Sequence, residues 1–305
     1  MTKALRSARL LLAVLALWAA AMVAFAAVAP AEAVNSAGAA LRERHGQVRD
    51  RLEKSPYGRP MYLDSRELAR ELQGDAYLVV AHPFARVSGA MAPLPNWCEL
   101  LILPFNTKHC EAAPTGDAGR LAIFVGRKND TPLEKTYRLD FDYTLAARAR
   151  DYLQITLKCE DGPLGTRDYR ILLEATPIDE QRTFLHLRYS YAYGTVSKVA
   201  MQAYLATLGA SKVGFTNEPE GGLVRGMRGV MERNTMRYAL AIEAYLASLD
   251  APREARVSKR LNDWFTSTQS YPRQLAEDDI DRSRYLAMKQ REYARIASGK
   301  AAPGS

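Results

Sequence analysis

Apolar and polar positions alternate with a period of two through the middle of the chain. Leu121 to Val125 is an apolar run closed by Gly126. Across 137–143, Tyr137, Leu139, Phe141 and Tyr143 fall on one side, and Arg138, Asp140 and Asp142 on the other. Across 152–159, Leu153, Ile155, Leu157 and Cys159 oppose Tyr152, Gln154, Thr156 and Lys158. Tyr169, Ile171 and Leu173 continue the pattern, and Leu185, Leu187, Tyr189, Tyr191 and Tyr193 end it. Successive strand side chains point to opposite faces, so these runs predict strands with one buried face. Short turns such as Asp161-Gly162-Pro163-Leu164-Gly165 join them into an antiparallel sheet.

The flanks follow a helical period. Leu41, Val48 and Leu52 predict an amphipathic helix over 39–52, ended by the turn cluster Ser55 to Pro60. A short strand is expected at Met61 to Asp64. Ser65 then reads as the N-cap of a short helix carrying Leu68 and Leu72, stopped by Gly74. Asp75 to His82 is a strand, Phe84, Val87 and Met91 recur as on a helix, and Trp97 sits in a Pro-Asn-Trp-Cys corner. After Gly194 the pattern turns helical again, over Val199 to Leu208 and then Leu223 to Leu249. The second stretch is the longest, with Met227, Val230, Met231, Ala239, Ile242 and Leu246 along one stripe. Pro252 ends it. Two more helices follow, broken at Ser270-Tyr271-Pro272.

The N-terminus changes what the rest means. Leu10 to Val28 carries no charge, Lys3, Arg6 and Arg9 precede it, and Ala31-Glu32-Ala33 follows. Basic region, apolar core and small-x-small site make residues 1–33 a signal peptide for export to the periplasm. The alternative is an uncleaved N-terminal anchor in the inner membrane, with the domain outside the cytoplasm, because about 20 apolar residues also span a bilayer. Removal of that segment takes three basic residues and one acidic one, lowering the net charge from +8 to +6. So diluted an excess does not indicate a nucleic-acid partner.

Export also bears on the cysteines, Cys98, Cys110 and Cys159. An oxidising compartment permits disulfides. Cys98 and Cys110 pair if Pro104 and Asn106 turn back a chain extended over Leu100 to Leu103. Cys110 with Cys159 is the alternative. Cys159 lies in an ordinary strand and reads as a structural thiol.

Helix, two strands, a short helix, a run of antiparallel strands, then a long helix: this order resembles the START-like, helix-grip superfamily of lipid-transport proteins and polyketide cyclases. The resemblance covers about residues 35 to 250. It rests on the element order and on Ala76-Tyr77-Leu78-Val79-Val80-Ala81-His82-Pro83-Phe84 through Asn96-Trp97-Cys98, a passage similar to exported bacterial members of uncharacterised type. It implies an α+β fold, with a curved antiparallel sheet wrapped around the long C-terminal helix and enclosing an apolar cavity. The chain then divides into the export segment, a ligand-binding domain over 34–250 and a helical C-terminal extension over 251–305.

Candidate chemistry is sparse. His45, His82, His109 and His186 are scattered, and no metal-ligand, nucleophile-elbow or phosphate-loop motif occurs. No metal site, cofactor or catalytic residue is therefore assigned. Binding asks less of the sequence. Sixteen tyrosines against eight phenylalanines offer apolar area with a polar tip, suited to a lipid or other hydrophobic molecule. The cavity candidates are Trp97, Tyr137, Phe141, Tyr143, Tyr189, Tyr191, Met227 and Met231. Rival readings are a cyclase- or hydrolase-like enzyme with His82, His186 or Asp142 as acid or base, and a structural envelope protein without ligand. In the extension, basic residues from Arg253 to Arg295 alternate with Leu261, Trp264, Phe265, Tyr285 and Met288. Such a helix pair either docks on the domain or lies on a membrane surface.

Overall fold

A computed structural model of the chain describes residues 31–195, 199, 201, 212–277 and 280–298. The export segment lies outside them up to residue 30, as does nearly all of the helical pattern over 199–208. The first described element is α1 (Ala31–Glu53). A hairpin follows, β1 (Met61–Glu67) and β2 (Glu71–Val80), then two short helices, α2 (Phe84–Met91) and α3 (Pro95–Leu101). Six strands run on from there: β3 (Thr107–Thr115), β4 (Ala118–Val125), β5 (Tyr137–Arg148), β6 (Leu153–Asp161), β7 (Thr166–Pro177) and β8 (Thr183–Tyr193). The chain closes with α4 (Gly226–Ser248), α5 (Arg256–Gln269) and α6 (Arg282–Ala297).

All eight strands form one antiparallel sheet in the order β1-β2-β8-β7-β6-β5-β4-β3. Neighbours in sequence are neighbours in space except at β2, which pairs with β8. The chain between β2 and β3 crosses the sheet through α2 and α3. Register shifts at Thr107/His109, Leu145/Ala147 and Arg167/Arg170 bend the strands and curve the sheet. The fold is α+β, a curved sheet gripping a long helix.

The sequence pattern explains the curvature's two sides. Leu153, Ile155, Leu157 and Cys159 of β6 and Leu185, Leu187, Tyr189 and Tyr191 of β8 are buried on the concave side, in one cluster with Met231, Leu240 and Leu246 of α4. The convex side is also covered. Leu41, Val48 and Leu52 of α1 bury Tyr77, Tyr152 and Phe184 there.

Two local expectations are corrected. The helix capped by Ser65 is the hairpin of β1 and β2. Leu72 pairs with Tyr191 across the sheet, while Leu68 sits 52% exposed in the turn. The Ser65 hydroxyl donates to Glu232 Oε1 of α4 (2.6 Å) instead of capping a helix. Gly74 does not stop a helix either; it lets one approach. A Cβ at Gly74 would stand 2.2 Å from Thr235 Oγ1 and 3.0 Å from Met231 Cγ, so α4 crosses the sheet against bare backbone. The extended stretch expected over 100–103 is the end of α3 and its following turn, because Pro95 opens a helix at a position that needs no backbone donor. That turn still brings the sulfurs together: Cys98 and Cys110 form a disulfide, and Cys159 is a free, buried thiol.

The C-terminal helices dock on the domain. Trp264 and Tyr285 stack at 5.5 Å, and both pack on Phe105 at 5.1 and 5.3 Å. The Trp264 indole donates to Arg237 O (3.1 Å), and the Tyr285 hydroxyl to Leu103 O (3.0 Å). Lys289, fully buried, donates to Pro104 O, Thr107 O and Glu292 Oε2 at 2.7, 2.7 and 2.8 Å. The Glu292 carboxylate also faces the buried Lys108 at 3.2 Å. Two buried ammonium groups thus share one carboxylate and a ring of carbonyls, which satisfies the donors that burial would otherwise penalise. No helix among the described residues is long and apolar enough to cross a membrane.

Candidate ligand-binding site

The eight proposed cavity residues do not stand together. Trp97 and Phe141 are buried, and Tyr143 meets the Trp97 ring edge-on at 6.4 Å. The Trp97 indole donates to Met91 O (3.0 Å), and the Tyr143 hydroxyl donates to Ala92 O. Their polar tips are thus engaged by the carbonyls at the end of α2, and this group is satisfied core. Tyr137 does not line an enclosed space. It starts β5 on the same face as Leu139 but is 52% exposed, because the strand end runs out past the helices. Met231 is fully buried against Gly74, and Met227 is buried one turn earlier.

Tyr189 and Tyr191 behave differently. With Tyr169 of β7 and Tyr238 of α4 they form a four-ring cluster. Tyr169 stacks on Tyr191 at 5.2 Å, Tyr189 lies 5.8 Å from Tyr191, and Tyr238 meets Tyr189 edge-on at 5.5 Å. Cys159 stands opposite Tyr169 in the neighbouring strand. The strand period brings Tyr189 and Tyr191 to the concave face together. Tyr238 comes from two turns beyond Met231 on the helix stripe, and the sequence reading missed it.

The hydroxyls set this cluster apart. Elsewhere buried phenols find partners: Tyr152 donates to Glu174 (2.6 Å), Tyr271 to Tyr57 O (2.8 Å) and Tyr193 to Glu67 and Leu68 O (both 3.3 Å). Tyr169 pairs with Thr166 Oγ1 (2.7 Å). No hydrogen bond joins the hydroxyls of Tyr189, Tyr191 and Tyr238 to another described residue, yet none of the three is among the enclosed unpaired polar atoms, which are Arg59 Nε, His109 Nδ1 and Arg260 Nε. Burial drives the Tyr189 phenol far above its ordinary pKa, raises that of Tyr191, and lifts that of Tyr238 to about 12. Tyr238 is half-buried, while Tyr189 and Tyr191 are buried. Burial also raises the Cys159 thiol, which keeps it protonated and unreactive at neutral pH.

The acid and base candidates lie elsewhere. Asp142 points outward to Arg120. His82 follows the end of β2, half-buried, and burial lowers its pKa. His186 is on the convex side, 5% exposed beneath α1 and between two carboxylates: Nε2 lies 2.7 Å from Asp75 Oδ1, and Nδ1 lies 2.9 Å from Glu174 Oε2. Tyr77 stacks on the ring at 4.6 Å, Arg188 donates to Asp75 (2.8 Å), and Tyr152 donates to Glu174. Burial works against the imidazolium, but the two carboxylates outweigh it and raise the His186 pKa. This is a closed network whose groups satisfy one another, with the whole sheet between it and the tyrosines. Among the described residues no group of His, Cys, Asp and Glu is arranged to hold a metal ion.

No protein-family model matches the chain, and no curated protein matches it. Solved structures with a similar chain path include a protein from Thermus thermophilus, 14% identical, covering 59% of this chain and 99% of that one with a TM-score of 0.39. A truncated norcoclaurine synthase from Thalictrum flavum is 12% identical over 48% of this chain and 91% of that one, TM-score 0.33. The Zhui aromatase/cyclase from Streptomyces sp. R1128 is 13% identical over 70% of this chain and 95% of that one, TM-score 0.32. At such identities the likeness is one of fold alone.

Proposed function

We propose that the protein binds a lipid or other hydrophobic molecule between the concave face of its sheet and α4, as an exported member of the helix-grip superfamily. The observation that carries this reading is the four-ring cluster of Tyr169, Tyr189, Tyr191 and Tyr238 where the concave face meets α4. Phenolic tips on an apolar wall suit a ligand that is mostly apolar and carries a polar group. Their rings and the flanking Met227 and Leu187 offer apolar contact to the same occupant. An alkyl chain gains roughly 0.8 kcal/mol per methylene taken from water, before the costs of binding.

An envelope location is supported by the uncharged stretch Leu10 to Val28, with basic residues before it and Ala31-Glu32-Ala33 after it. The Cys98–Cys110 disulfide agrees with an oxidising compartment. Contact of the extension with a membrane stays secondary to its docked packing on Phe105.

Native mass spectrometry of protein purified from its own envelope tests the reading. The expected spectrum carries added mass that organic extraction removes. A Tyr189→Ala and Tyr191→Ala double variant, folded by circular dichroism, should lose that mass. Wild-type spectra free of added mass, with no uptake of any alkyl ligand in titration, would sink the proposal.

A further inference from the structure

The large apolar side chains that the fold leaves exposed are not scattered. Among the described residues they are Leu68, Tyr137, Leu164 and Val199, at 52%, 52%, 72% and 61% exposed. They come from four separate segments, and strand register places them all at one end of the sheet. Glu67 pairs with Leu72 at the foot of the β1–β2 turn that carries Leu68, and Glu71 pairs with Ala192 near the end of β8. Thr166 pairs with Tyr193, and Asp161 with Arg167 across the β6–β7 turn that carries Leu164. Asp142 pairs with Lys158, which sets the start of β5, and so Tyr137, at that same end. Val199 lies in helical chain just beyond β8. The opposite end turns at Gly116-Asp117, Arg150-Asp151 and Asp179-Glu180-Gln181, and none of the four is there.

The Leu164 turn is held at a cost. Leu164 has a φ of 58°, in the left-handed region that suits glycine, and at its exposure burial does not repay the strain. Three strand spacings separate the Leu68 turn from the Leu164 turn, roughly 14 Å, and Tyr137 stands farther along. Arg70, Glu71 and Arg167 come between. Apolar tips so spaced do not form the contiguous patch that a protein partner covers. A bilayer takes each tip separately, and a tyrosine at its surface keeps the hydroxyl among the headgroups. Charge is balanced in these turns, Arg66 and Arg70 against Glu67 and Glu71, and Arg167 against Asp168, so apolar insertion is the available attraction. The Leu164 turn also meets the tyrosine cluster, through Thr166 and the Tyr169 hydroxyl.

We infer that this end of the sheet docks on a lipid bilayer. Leu68 and Leu164 enter it as separate apolar tips, and Tyr137 and Val199 lie at its surface beside them. The inference stands on exposure and strand register, and does not depend on any occupant of the tyrosine cluster.

A polarity-sensitive dye tests it, attached to the full chain through Ala69→Cys in the β1–β2 turn or Gln181→Cys in the β7–β8 turn. Cys159 is buried and stays unlabelled. With neutral phosphatidylcholine vesicles the dye at position 69 should brighten several-fold and shift to the blue, at low and high salt alike. The dye at position 181 should not change. Leu164→Gly in the Ala69→Cys chain should weaken the vesicle response several-fold, yet its urea midpoint should not fall, because glycine suits that backbone. No response at position 69, or an equal one at position 181, would overturn the docking. A response abolished by salt would overturn apolar insertion. A urea midpoint that falls with the response would make Leu164 a packing residue and overturn its role as a tip. Brightening without vesicles that grows with protein concentration would assign this end to a second copy of the chain and overturn the bilayer.

Discussion

The buried triad beneath α1 makes a prediction with a calculable size. Asp75, 3% exposed, accepts from His186 (2.7 Å), Arg188 (2.8 Å) and Gln73 (2.7 Å). Burial favours its neutral form, but these donors prevail and hold its pKa at about 2 against an ordinary 3.8. Its folded pKa is depressed, so its stabilisation is present above the ordinary value and fades as pH falls through about 2. A shift of nearly two units at about 1.4 kcal/mol per unit gives about 2 kcal/mol, most of it lost between pH 5 and pH 2. His186 has the opposite sign. Its pKa is raised above 6.5, so its contribution is complete below that value and is lost as pH rises through the higher folded one. Stability from this network should therefore be greatest from about pH 5 to 6. Urea unfolding of the wild type and Asp75→Asn at pH 5 and pH 2 is the assay. All other carboxylates titrate in both proteins, so the difference isolates Asp75. The gap between them should shrink by about 2 kcal/mol on going to pH 2. Parallel losses in the two proteins would refute the assignment of that energy to Asp75.

Other expectations concern the packing that frames the site. Glu292→Gln leaves Lys108 and Lys289 buried without their shared carboxylate and should cost about 3–5 kcal/mol, read as a lowered denaturation midpoint. Gly74→Val places side-chain atoms where Thr235 and Met231 already stand and should cost about 1–3 kcal/mol. Thr235→Ala in that background should recover part of the loss; no recovery would mean that α4 does not cross there. Cys98→Ser with Cys110→Ser opens a loop closed at a separation of 12 residues and should cost about 3 kcal/mol by chain entropy, measurable as a shift in urea midpoint.

What the sequence made legible was whatever repeats locally. Strands β5 to β8 are visible in their period-2 runs, and the same runs place Tyr189 and Tyr191 together on one face. The errors occur where a short stretch fits two periods. Ser65, Leu68 and Leu72 suit a helix as well as they suit a hairpin, and it is pairing with β8, more than a hundred residues away, that decides. His186 posed a choice between cavity and solvent. The answer was neither, because α1 covers the convex face and makes a second interior that strand alternation cannot announce. Charge was hidden in the same way. The basic residues of the extension stand out along the chain, yet Lys289 is held inside a buried ion cluster and Arg260 pairs with Glu99. The cations gathered on Glu277, namely Lys128, Lys212 and Arg237, come from separate segments and show no run or spacing in sequence. They meet because α5 and α6 fold back and carry Glu277 to them, across 149 positions in the case of Lys128.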